Sequence, residues 1–199
     1  FRLFPFFHTL PMLVFRGFSR PAPAPTVLTI GNFDGVHLGH RALLRKLKDH
    51  AAQTGLMPAV LTFEPHPREF FAPDTAPTRL SSLRKKLELI AAEGIALACV
   101  GRFNAALARM DAEAFVERLL VDTLRVRHLV VGDDFRYGAG RRGDFALLET
   151  LGRQHGFTVE ALAGVRQDGL RLSSSAVRNA LAEGRMEDAA RFLGRPYVI

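Results

Sequence analysis

Thr26-Val27-Leu28-Thr29-Ile30-Gly31-Asn32-Phe33-Asp34-Gly35-Val36-His37-Leu38-Gly39-His40 runs from an apolar pentapeptide through a glycine turn into a segment with helical spacing. The pattern predicts a strand, a tight turn and a helix that begins near Leu38. Such a junction suits phosphate for a physical reason. The first N–H groups of a helix have no partner within it, and the helix dipole turns its positive end toward an anion. Gly35 and Gly39 lack a Cβ, so backbone can turn sharply and approach a ligand closely. His37 and His40 are three apart, which puts both imidazoles on one side once the helix has begun. They can donate hydrogen bonds to phosphate oxygens and, if protonated, add positive charge as a phosphorus centre gains negative charge.

Outward from this junction the chain alternates. Leu43, Leu44, Leu47 and Ala51 keep a helical period that Gly55 can stop. Met57–Phe63 reads as a strand buried on both faces. It exits into Glu64-Pro65-His66-Pro67, a candidate wall of a substrate pocket, with Phe63 and Phe70 available to pack on an aromatic ring. Leu83, Leu87, Ile90 and Ala91 mark one face of a helix capped by Ser81 or Ser82 and closed by Gly94. Ile95–Val100 is the next strand. Asp111 caps a helix whose stripe is Ala112, Phe115, Val116, Leu119 and Leu120, and Arg127–Val131 is a further strand. Strands alternating with helices predict an α/β fold, a parallel sheet with helices on both faces. Upstream, Pro21–Pro25 is a stiff spacer that leads into the first of these strands.

Composition narrows the classes. With 199 residues and 48% hydrophobic content the chain can bury a full core as one domain. Lys and Arg exceed Asp and Glu by 27 to 20, and the net charge of +7 suits a polyanionic ligand. Nucleic-acid binders concentrate basic residues in a stripe with exposed aromatics; here they are spread along the chain, and the densest cluster, Arg41 to Lys48, reads mainly as a solvated helix face. Cys99 is the only cysteine and lies in an apolar run, which leaves no internal disulfide and no cysteine zinc site. No uninterrupted apolar stretch reaches the ~18 residues of a membrane span. The sign of the charge does not choose among nucleic acid, a membrane surface and a nucleotide; with the basic residues spread and no span, the expectation is small-molecule partners, no nucleic acid and no membrane, and a cytoplasmic setting.

Two later segments carry chemistry. Gly132-Asp133-Asp134-Phe135-Arg136-Tyr137-Gly138-Ala139-Gly140-Arg141-Arg142-Gly143 follows a strand and contains a literal G-x-G-x-x-G. A dinucleotide fingerprint places its first glycine directly after the first strand of the domain. Here five residues intervene and the motif comes late, so an NAD or NADP site is set aside. Asp133 and Asp134 can accept hydrogen bonds, and Arg136, Arg141 and Arg142 can meet phosphates. Farther on, Ser173, Ser174 and Ser175 open a helix whose N–H groups they can cap, and Arg178 stands one turn in.

The Gly31–His40 segment resembles the signature of the HxGH nucleotidyltransferases, and its Asn-Phe-Asp-Gly form is similar to that of bacterial FAD synthetases, usually the N-terminal half of a bifunctional riboflavin kinase/FMN adenylyltransferase. Two other stretches share the likeness. Val131–Gly138 resembles the family's flavin-side Val-Gly-x-Asp/Asn-Phe-x-Phe-Gly motif, with Tyr137 for the commoner Phe. Arg171–Arg178 resembles Ile-Ser-Ser-Thr-x-Ile-Arg, with Leu172, Ser175 and Val177 as departures. Phe63-Glu64-Pro65-His66-Pro67 is similar to a family stretch near the flavin.

The resemblance implies a Rossmann-like fold with a small flap on the flavin side, and transfer of AMP from ATP to FMN, giving FAD and pyrophosphate, with Mg²⁺ held through the phosphates rather than by protein ligands. It implies His37 and His40 as catalytic residues. Gly31, Asn32, Phe33, Asp34, Gly35, Gly39, Ser173, Ser174, Ser175 and Arg178 would bind ATP. Phe63, Pro65, His66, Pro67, Asp133, Asp134, Phe135, Arg136, Tyr137 and Gly138 would bind FMN. The expected organisation is an extension of no assigned function over 1–11, an adenylyltransferase domain over 12–193, and the start of a kinase module over 194–199, the rest of that module being absent from the chain. Another HxGH transferase with a different nucleotide or acceptor, and a basic nucleic-acid-binding module, are the alternatives.

Overall fold

The computed structural model describes residues 11–167 and 170–198; apart from Pro11, the expected N-terminal extension lies outside them. Six parallel strands form one sheet: β1 (Leu13–Arg16), β2 (Thr26–Ile30), β3 (Met57–Glu64), β4 (Leu97–Arg102), β5 (Val126–Gly132) and β6 (Thr158–Leu162), in spatial order β1-β4-β3-β2-β5-β6. Every residue of β2 is buried. Both faces are covered, as an all-parallel sheet requires. Helices α1 (Leu38–Thr54) and α3 (Leu83–Ala92) enclose one core with Val27, Val60, Ala98 and Val130. On the other face Leu28, Leu61, Cys99 and Leu129 pack against α5 (Ala112–Ala114) with its continuation and α6 (Phe145–His155). Leu28, Leu61 and Leu129 are fully buried, each stabilising the fold by roughly 1.5–3 kcal/mol.

Local chemistry explains the element ends. Ser82 is the cap of α3, accepting from Lys85 N, and the Asp111 carboxylate accepts from Ala114 N at 2.6 Å. Beyond Ala114 the helix widens to i→i+5 winding over Phe115–Thr123, closed by Leu124 N to Leu119 O at 2.9 Å. Phe115, Val116, Leu119 and Leu120 nevertheless all stay inward.

Two strands were not predicted. β1 pairs with β4 at one edge, and Leu13 and Val14 are exposed; Met12–Gly17 carries no alternation to mark it. β6 pairs with β5 at the other edge and is half exposed. A small antiparallel hairpin, β7 (Arg166–Gln167) and β8 (Leu170–Arg171), follows. Helices α7 (Ser174–Ala182) and α8 (Met186–Leu193) then pack with Leu80 and Leu172 in a third apolar cluster. Two short helices, α2 (Pro67–Phe71) and α4 (Ala105–Ala108), complete the set.

Strand β2 lies between β3 and β5. The chain leaves β2 toward β3 through α1 and returns on the opposite side as β5. Open α/β sheets bind ligands at such a switch point, outside the carboxyl ends of the strands.

Candidate active site

Two cavities meet at that switch point. The first, of about 510 Å³, is lined by Gly31, Phe33, His37, Gly39, His40, Ser173 and Ser174, with Leu43 and Leu162–Val165 at its apolar side. The second, of about 680 Å³, is lined by Phe63, Phe71, Phe103, Phe115, Phe135 and Tyr137, together with Asn32, His66, Pro67, Arg68, Arg136, Gly138 and Arg141. Ile30, Gly31, Asp134 and Phe135 border both. The shared wall is the pair of strand exits.

His37 caps α1: its Nδ1 accepts from Gly39 N at 3.1 Å and from His40 N at 3.4 Å. This leaves the ring proton on Nε2. A Cβ on Gly39 would stand 3.0 Å from the His37 ring, tighter than ordinary contact, so a side chain there would press on the imidazole. The two imidazoles stack with centroids 3.8 Å apart. Burial lowers the His37 pKa to about 4, with Asp34 opposing and Arg178 adding to the shift. Burial, then His37 and Lys86, pushes His40 well down. Both imidazoles are thus shifted toward the neutral form. Two of the first N–H groups of α1 are directed at His37 rather than at solvent.

The turn before the pair is held in an uncommon conformation. Phe33 has φ 49° and the β-branched Val36 φ 40°, a region such residues enter only when the surroundings impose it. The Asp34 carboxylate imposes much of it. Buried at 5% exposure, it accepts from Leu80 N and Ser81 N at 3.0 Å and from Arg178 Nη2 at 2.5 Å. Arg178 also donates through Nε to Thr78 O, and Ser174 Oγ donates to Asp34 O.

Several expected positions stand elsewhere. Asn32, expected with ATP, lines the second cavity. Asp34 faces the protein interior, and Gly35 packs on Leu80; neither lines the first or the second cavity. Ser175 is exposed on the outer side of α7. Pro65 does not line the second cavity, and Asp133 pairs with Arg171 at 2.9 Å outside both. Arg178 is engaged with Asp34, leaving Nη1 without a hydrogen bond among the described residues. Phe70 stacks edge-on with Phe71 and Phe103, and it is Phe71 that lines the cavity. The hairpin borders the first cavity through Arg171 and Leu172, whereas α2 covers the second.

Phe71, Phe103 and Leu162–Val165 escaped the sequence reading, and Phe115 was read only as part of a buried helix stripe. Phe103 directly follows β4 and Leu162–Val165 ends β6; position after a strand was the available signal. The late glycines serve packing: a Cβ on Gly143 would lie 2.5 Å from the Tyr137 ring.

A parallel sheet with a histidine-bearing glycine turn at its switch point defines an α/β protein with a candidate phosphate site. The chain belongs to the FAD synthetase family, whose model matches residues 19–176. It is 49% identical over 180 residues to the bifunctional riboflavin kinase/FMN adenylyltransferase of Pseudomonas fluorescens, covering 90% of this chain and 58% of that one. The Escherichia coli K12 protein of the same name is 46% identical over 191 residues, covering 94% and 61%. The Haemophilus influenzae one is 43% identical over 172 residues. The chain thus spans about three fifths of the length of these relatives. Among solved structures, a macrolide-efflux protein from Streptococcus pneumoniae shares the fold, with TM-score 0.80 at 20% identity, covering 94% of this chain and 63% of that one.

Proposed function

We propose that this chain transfers AMP from ATP to the phosphate of FMN, releasing pyrophosphate and forming FAD. The observation that carries the reading is the shared wall at Ile30, Gly31, Asp134 and Phe135, which opens a polar-ended cavity on one side and an aromatic one on the other. The aromatic side offers rings to stack on an isoalloxazine. The other offers Leu43 and Leu162–Val165 to a nucleobase, and the histidines and serines to phosphates.

The FMN phosphate is anionic at neutral pH, so an oxygen of it attacks the α-phosphorus without a strong base, and the bond to the pyrophosphate oxygen breaks in line. His37 and His40 act as neutral donors to the α-phosphate as charge builds. Ser173, Ser174 and Arg178 hold the leaving end, Arg178 through its free Nη1 or by turning from Asp34. Among the described residues no group of three or more His, Cys, Asp or Glu could hold a metal, and the Asp34 carboxylate is engaged; this donor set fits Mg²⁺ carried by the phosphates. Bound there, Mg²⁺ would neutralise phosphate charge. Among the described residues no helix is long and apolar enough to cross a membrane.

Purified protein incubated with ATP, Mg²⁺ and FMN should yield FAD and pyrophosphate by chromatography, with none when CTP replaces ATP or riboflavin replaces FMN. Binding of neither ATP nor FMN would overturn the proposal.

A further inference from the structure

Of the three consecutive basic residues of α3, Arg84 and Lys85 pair with Glu88 on the outside of the helix. Lys86 does not. It shares a helix face with Leu83, Leu87 and Ile90 and is 5% exposed. Buried lysines are nearly always paired, yet no carboxylate lies within 4.0 Å of this ammonium among the described residues.

Lys86 borders a water-sized space of about 10 Å³ with Asp34, Glu64, His66, Glu69 and Arg79. The carboxylates there have other partners: Asp34 holds Arg178, and Glu64 and Glu69 both hold Arg79 at 2.5 Å. His66, beside Lys86 in this space, lines the second cavity, and His40, within its electrostatic reach, lines the first.

We propose that Lys86 is a positioning residue for the adenylyl transfer inferred above: its unpaired ammonium, in the same small space as His66, which also lines the second cavity, supplies a fixed positive charge beside the site. A charge in a dry, rigid setting acts on a developing anion without reorganising. The same charge adds to the burial that lowers the two flanking histidines. His40 is depressed by burial, by His37 from the glycine turn and by Lys86 from α3. His66 is depressed by burial, Lys86 and Arg178, against Glu69 and Asp34. Lys86 itself is lowered by burial and Arg79, and raised by Glu64, Asp34 and Glu69.

The test uses the whole chain with Lys86→Met, of similar length and no charge. Removing an unpaired buried ammonium should leave the melting temperature unchanged or higher. The kcat for FAD formation should fall about 10- to 100-fold while both KM values change little. Histidine Cε1 proton signals should show His40 and His66 titrating at higher pH than in wild type. Lys86→Gln serves if the Met variant fails to fold. Full kcat, or loss of kcat with unmoved histidine titrations, would overturn the role of Lys86. The histidine shift is read without turnover, so absence of FAD from the wild-type chain overturns the reaction itself, separately from the outcome for Lys86.

Discussion

Arg178 Nη2 lies 2.5 Å from Asp34 Oδ2, and this buried pair bolts α7, which carries the serine run, to the glycine turn. The same carboxylate anchors Leu80 N and Ser81 N, so one side chain sets the mutual placement of three segments. Replacing Asp34 by Ala strands a buried guanidinium and two amides, and should destabilise the protein by about 3 kcal/mol in urea unfolding. A loss below about 1 kcal/mol would show the pair to be peripheral.

Acid should unfold the protein earlier than its carboxylates alone would dictate. With the folded pKa of His37 at about 4 and the unfolded value at 6.5, the unfolded chain takes up a proton first as pH falls. Stability is full above pH 6.5 and falls by roughly 3 kcal/mol between there and pH 4 on account of this residue. His37→Asn retains a capping side chain, and should flatten the slope measured by denaturant titrations across that window. An unaltered slope would place the origin of the pH dependence elsewhere.

His40→Ala should reduce the kcat of FAD formation by at least about 100-fold with only a small change in melting temperature. The ring packs against His37 and Phe33 rather than holding a hydrogen bond: its buried Nδ1 has no partner. Wild-type turnover in this variant would remove His40 from the chemistry.

Tyr137 is 5% exposed with a hydroxyl that has no hydrogen-bond partner, and burial raises its pKa. An orphaned buried hydroxyl costs stability. Tyr137→Phe should therefore hold or raise stability by about 1 kcal/mol. If a polar edge of the flavin meets that hydroxyl, FMN affinity, read by flavin fluorescence, should drop about 10-fold. Unchanged affinity would restrict Tyr137 to stacking against Phe135 and Phe115.

What could be read from the sequence follows from how each feature is encoded. Thr26–Ile30, Met57–Phe63 and the stripe of Ala112, Phe115, Val116, Leu119 and Leu120 announce themselves because their neighbours in space are also periodic in the chain. The edge strands did not, since β1 and β6 are half exposed and carry weak patterns. Individual site roles were less legible. Whether Asp34 faces a ligand or Leu80 depends on a contact 46 residues away, and composition cannot distinguish Lys86 from Lys85, its outward neighbour.

The wall shared by the two cavities is built on β2 and β5, which are hydrogen-bonded neighbours in register, Thr29 opposite Val130. Adjacent strands are held about 4.8 Å apart by their amide ladder. The two cavities are thus graduations on a single ruler rather than halves of a clamp: their spacing is inherited from paired strands and not from the loops around them.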